Sequence, residues 1–138
     1  MVIKMKRINI ILLLISLVML TGCSNQLKCK INTNTYTSTV KVKFSDGKPS
    51  KYTFNEKMTF DPLSPDAELY YHSKYDEYGV LISEKFARMG NNSDNITLKI
   101  KYDFTKNNSA QENKLLVSRT DTKNDAKTKI ESLGYKCK

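Results

Sequence analysis

An α+β fold, with an antiparallel sheet of four to five strands packed by two helices, is what this sequence predicts, and three patterns predict it. Thr35 to Phe44 alternates with a period of two: Tyr36, Ser38, Val40, Val42 and Phe44 fall on one face, Thr37, Thr39, Lys41 and Lys43 on the other. Ile96, Leu98, Ile100, Tyr102 and Phe104 repeat that alternation later in the chain. Helix-start chemistry occurs at Ser64-Pro65-Asp66 and again across Thr120 to Asp125.

At the N-terminus, Lys4, Lys6 and Arg7 precede Ile8 to Leu20, an apolar run interrupted only by Asn9 and Ser16. Basic then apolar is the order of a secretory signal, and the run is shorter than the roughly 20 apolar residues a stable transmembrane helix needs. It ends at Leu20-Thr21-Gly22-Cys23, which closely resembles the processing and lipid-attachment site of a bacterial lipoprotein. The resemblance implies cleavage before Cys23, which then carries the acyl chains. Two or more chains on one residue suffice for stable anchoring, since each buried methylene contributes about 0.8 kcal/mol. The expected organisation is a signal peptide over residues 1–22, a lipidated tether over 23–28 and one domain over 29–138, held at the extracytoplasmic face of the cell membrane.

With 138 residues in all there is room for one domain with one modest core. Residues 1–22 hold three cations and no acid, so their removal takes the formal charge from +9 to +6. That excess is spread along the chain and is carried almost entirely by lysine; arginine follows the signal only at Arg88 and Arg119. Base-reading arginine forks are scarce, so no nucleic-acid partner is expected; a weak attraction to anionic lipid or to a polyanionic envelope component is one reading of the lysine excess, and a genomic bias toward lysine and asparagine is the preferred one. With Cys23 assigned to the lipid, Cys29 and Cys137 are the remaining thiols and pair as a disulfide in a compartment that permits one. Two free thiols or a metal site are the alternatives, although two cysteines and one histidine are too few ligands for a closed zinc site. A bridge closing a loop of about 100 residues is worth roughly 4 to 5 kcal/mol in the chain-entropy treatment.

Taken in order, Cys29 to Asn32 suggests a first strand. Ser45-Asp46-Gly47-Lys48-Pro49 is a turn whose Asp-Gly step supplies positive φ, returning the chain through Lys51 to Phe60. Tyr52, Phe54, Met58 and Phe60 share one parity there, with Glu56 as its exception. A helix follows over Pro65 to Tyr78, with Leu69, Tyr71, His72, Tyr75 and Tyr78 on its inner surface and Gly79 placed to end it. A second hairpin is expected over Val80 to Phe104, turning at Asn91 to Asn95; helical spacing of Tyr78, Ile82, Phe86 and Met89 leaves a longer helix open. Thr105 to Lys114 reads as a polar loop. The final helix should bury Ala126, Ile130 and Leu133 and close at Gly134, after which Tyr135-Lys136-Cys137 returns toward the start of the domain.

Residues with chemical potential are few. His72 is the one histidine and Asp76, a helical turn later, is its nearest partner, but no nucleophile-elbow serine accompanies it. Glycines are dispersed, forming no phosphate cradle, and no cofactor or metal is implied. Tyr70, Tyr71, His72, Tyr75 and Tyr78 form the distinctive cluster: tyrosines join apolar area to a polar tip and are favoured in recognition surfaces, while core packing against the sheet is their simpler use. Tyr70 and Tyr71 are adjacent, so at least one is expected to be exposed.

The lipid-site signal, the strand pair, the helix reaching Gly79-Val80, the second hairpin and the ending Glu131-Ser132-Leu133-Gly134-Tyr135 together resemble small bacterial lipoproteins of unknown function, the YehR-like group. This resemblance favours the hairpin at Val80 to Phe104 and carries no catalytic motif. The function expected is that of a non-catalytic, membrane-anchored module that binds an envelope protein or polymer through an exposed sheet or tyrosine face; the alternative is an enzyme or enzyme accessory with chemistry at His72.

Overall fold

A computed structural model describes residues 25–60, 65–83, 87–92, 95–106 and 109–138. The elements are β1 (Gln26–Asn32), β2 (Tyr36–Ser45), β3 (Lys48–Thr59), α1 (Asp66–Ser83), β4 (Ala87–Asn92), β5 (Asn95–Asp103), a 3-10 helix (Ser109–Lys114), α2 (Lys123–Ser132) and β6 (Lys136–Cys137). The strands form one sheet in the order β4-β5-β3-β2-β1-β6, and every neighbouring pair is antiparallel. This is the α+β architecture that the alternation foretold, five strands of ordinary length plus a two-residue sixth.

The β2–β3 hairpin turns at Asp46 and Gly47, with φ of 52° and 75°. Two consecutive positive φ values match the right-handed twist of the flanking strands, and an Asp-Gly pair supplies them at little cost. Alternation then places Val40, Val42, Tyr52 and Phe54 on one side of the sheet, where they join Leu98 and Ile100 of β5, Tyr78 of α1, and Ala126 and Ile130 of α2 in a single core. Both helices thus cover the same face.

Several boundaries differ from expectation. Pairing of β1 with β2 reaches back to Gln26, so the tether expected over 23–28 is cut short by strand. Helix α1 does not stop at Gly79 but runs to Ser83, and strand resumes at Ala87, so the segment expected as strand from Val80 begins as helix. Glycine inside a helix costs only about 1 kcal/mol relative to alanine, and Val80, Leu81 and Ile82 offer no chemistry that would break it. The β4–β5 hairpin itself is present, paired from Ala87↔Ile100 to Asn92↔Asn95. Part of the loop expected over Thr105 to Lys114 is the 3-10 helix.

Helix α2 opens with Thr122, whose hydroxyl accepts from the Asp125 amide while the Asp125 carboxylate accepts from Thr122, a capping box. Its inner face holds Ala126 and Ile130 as expected. Leu133 is not buried with them: it is 55% exposed, and Tyr135 takes the inner position beyond Gly134, which turns the chain at φ 91°. The signal segment, Cys23, the proposed cap Ser64 and the Ser93-Asp94 step lie outside the described residues.

Candidate functional site

Helix α1 meets the sheet through Tyr70, Lys74 and Tyr78, a stripe with i, i+4, i+8 spacing. Tyr78 is buried against Phe54, ring centroids 6.1 Å apart, and the Tyr70 ring packs on Phe60 at 5.4 Å. Leu69 and Tyr75, expected to face inward, are 68% and 47% exposed, and His72 is exposed as well. Tyr70 and Tyr71 are both half-buried, so the exposed tyrosine of the group is Tyr75. The helix is rotated from its expected orientation because its inward groups answer a carboxylate in the sheet.

That carboxylate is Glu56, the parity exception of β3, whose side chain is 5% exposed. Tyr36 donates to its Oε2 at 2.8 Å and Tyr70 to its Oε1 at 2.6 Å, with Lys74 Nζ 3.9 Å away. Burial first, and then the bond to Glu56, hold the Tyr36 and Tyr70 phenols well above their ordinary value. Tyr78 is raised as well, chiefly by burial and then by the charge of Glu77. Lys74 continues the network to Glu77 at 3.0 Å, and nearby Ser38 and Tyr135 share a buried hydrogen bond of 2.7 Å. Each buried polar group is thereby satisfied, which makes this cluster a fastening between α1 and the sheet.

His72 pairs with Glu68, one turn before it, at 3.7 Å, and meets the Tyr71 ring edge-on; among the described residues it makes no bond to Asp76. Cys29 and Cys137 stand opposite each other in the β1–β6 register with their sulfurs 1.96 Å apart, disulfide distance. Among the described residues, no group of three or more His, Cys, Asp or Glu side chains gathers as a metal site, and no helix is long and apolar enough to cross a membrane.

The uncovered face of the sheet has a different composition. Alternation sends Lys28 and Lys30 of β1, Lys41 and Lys43 of β2, Lys51 and Lys57 of β3, and Lys99 and Lys101 of β5 to that side, all exposed. Lys136 of β6 and the terminal Lys138 extend the array past β1. Between them stand Thr37, Thr39, Thr53, Asn55 and Thr97, while aromatic and large aliphatic side chains point to the core. Asp103 is the one acid in these strands on this side, opposite Lys51. It is held below its usual value mainly by the Thr105 hydroxyl that donates to it.

Register turns this array into opposed like charges. Lys28 lies directly across from Lys41, Lys43 from Lys51, and Lys30 from Lys136. Like charges in directly opposite positions destabilise a sheet, by some tenths of a kcal/mol per pair, and neighbouring ammonium groups on strands about 4.8 Å apart lie well inside the screening length of physiological salt. Among the described residues no ion pair within 4 Å joins these lysines to an acid: the carboxylates of Glu56, Glu77, Glu112, Asp121 and Glu131 are committed to cations elsewhere, and Asp103, across from Lys51, accepts from Thr105. Three shallow depressions mark this side, and lysine lines each of them.

Comparison with known proteins adds little to this geometry. No family model matches the chain. No curated protein matches it either. A solved structure, the NMR structure of a protein from Streptococcus pneumoniae TIGR4, aligns over 81% of this chain and 84% of its own with 10% identity and a TM-score of 0.44.

Sequence reasoning missed the lysine face because it summed charge along the chain. The signal was the spacing: Lys28/Lys30, Lys41/Lys43, Lys99/Lys101 and Lys136/Lys138 each recur at i, i+2, the shortest separation that keeps two strand residues on the same side.

Proposed function

We propose that the chain is a non-catalytic lipoprotein, anchored at the extracytoplasmic face of the cell membrane through acylated Cys23, whose working surface is the lysine face of the sheet and whose partner is an anionic component of the envelope. One observation carries the reading: lysines oppose lysines across three strand pairs, and among the described residues Asp103, across from Lys51, is the one strand acid on that side. A surface that repels itself costs stability when empty and regains it when an anion neutralises it. The resemblance to YehR-like lipoproteins belongs to the same proposal.

The anchor and the surface are tested separately. A fatty-acid probe should label the wild-type protein in cells and not Cys23→Ala, and label persisting on the variant would refute the anchor. The mature chain should be retained on an immobilised polyanion at low salt and released as salt rises; passage without retention at low ionic strength would refute the surface.

A further inference from the structure

Of the depressions on the open face, one is deeper in charge than the rest. It is a groove of about 590 Å³ across β6, β1 and β2, and Lys28, Lys30, Lys41, Lys136 and Lys138 line it. Thr39 and Asn32 add short polar groups to its floor. Two of its five lysines come from the last three residues of the chain, which reach the groove only because β6 docks on β1. That strand is two residues long, and it is held by the reciprocal bonds between Lys28 and Lys138, at 3.1 and 2.8 Å, and by the Cys29–Cys137 pair directly beneath.

We propose that this groove is the principal binding site of the open face, that it takes the phosphate groups of a linear anionic polymer, and that the Cys29–Cys137 link serves to hold Lys136 and Lys138 in it. The identification deepens the function given above and rests on it. Five lysines and no arginine line the groove, and lysine binds phosphate as a compact point charge, without the planar fork that arginine offers to carboxylate and phosphate alike; phosphate is the anion to which the proposal commits, and a carboxylate polymer is the competitor in its test. A polymer is selected over a bilayer by the shape and composition of the surface. Binding at a lipid interface relies on several large apolar side chains that enter the acyl boundary, and beside its lysines, Thr39 and Asn32 the groove offers a single large aliphatic residue, the half-buried Ile31, with Cys29 buried and Gly134 at its edge. A neutral glycan or a stacked base would need aromatic platforms, and the aromatic rings of β2, β3 and β5 lie on the core side or around Glu56.

The test measures binding of inorganic polyphosphate, the simplest linear phosphate polymer, to the mature chain and to two charge-matched variants. Lys136→Gln/Lys138→Gln empties the groove of its C-terminal lysines; Lys99→Gln/Lys101→Gln removes two lysines from the far side of the same face. The groove variant should lose about tenfold in affinity and the far variant less than about threefold. Cys29→Ser/Cys137→Ser should fall to the level of the groove variant, and since it also lacks a staple, the lysine variants stand as the independent readout. Equal losses in the two lysine variants would overturn the groove while leaving the face as the binding surface. No binding by the wild-type chain would overturn both. Tighter binding to polygalacturonate, or to phosphatidylglycerol vesicles in place of polyphosphate, would overturn the choice of a phosphate polymer. Full affinity in the cysteine variant would overturn the role given to the link.

Discussion

The two faces of this sheet are made from the same strands and differ by one residue of phase, yet they treat charge in opposite ways. On the covered side a lone carboxylate, Glu56, is met by two tyrosine hydroxyls and Lys74, and among the described residues no buried side-chain nitrogen or oxygen is left without a partner. On the open side lysine stands against lysine in three opposed pairs. Stability is therefore concentrated on one face and withheld from the other. The fold satisfies its buried acid completely and places one acid, Asp103, opposite a lysine of the open face; the remaining imbalance on that face is what the proposed anion would neutralise.

Four perturbations sharpen that contrast. The largest is loss of the staple. Cys29→Ser should lower unfolding free energy by roughly 4 to 5 kcal/mol, as expected for opening a loop of about 100 residues, measured by denaturant titration under non-oxidising and oxidising conditions; equal stability of variant and wild type would mean the pair is not bridged. Next is the covered face. Glu56→Ala leaves the Tyr36 and Tyr70 hydroxyls without their acceptor and should cost about 3 kcal/mol, with Glu56→Gln recovering most of it; a loss below about 1 kcal/mol would remove the cluster from its fastening role.

Alkaline pH attacks the same cluster. The folded state holds the protons of Tyr36, Tyr70 and Tyr78 more tightly than the unfolded chain does, so the stability they contribute is complete below about pH 10, the unfolded tyrosine value, and declines as pH rises beyond it. Tyrosinate absorbance followed beside circular dichroism should show these phenols ionising only as the fold is lost, and Tyr36→Phe/Tyr70→Phe should flatten the decline. The smallest effect belongs to the open face. Lys41→Glu places an acid opposite Lys28 and should raise stability by about 0.5 kcal/mol while weakening polyanion binding, a gain in folding set against a loss in function.

The covered face was the more legible of the two. Strand alternation and the Asp-Gly turn located β2, β3 and β5, and Glu56 was visible as an exception to parity, because hydrophobic period and turn chemistry are local properties. Its partners are not visible there: Tyr70 and Lys74 arrive from a helix whose rotation brings them to that carboxylate, and apolar spacing alone points Leu69 and Tyr75 inward, whereas they face out. The end of α1 is not legible in the sequence, because Gly79 can end a helix or sit inside one at modest cost. Lys41 and Lys43 were seen to share a side. The face as a whole was not, since it depends on which strands become neighbours, and the order β5-β3-β2-β1-β6 brings together lysines up to 110 positions apart, from Lys28 to Lys138.

The thermal midpoint of the mature chain, followed as inorganic polyphosphate is added at low salt, tests most directly whether the open face is built for an anion. A ligand that binds only the folded state raises the midpoint in proportion to its occupancy. The midpoint should climb with polyphosphate, the climb should shrink as salt is added, and it should be lost when Lys28, Lys30 and Lys41 are changed together to glutamine. A midpoint that stays level with polyphosphate at low ionic strength, or that climbs equally in the glutamine variant, would contradict the account.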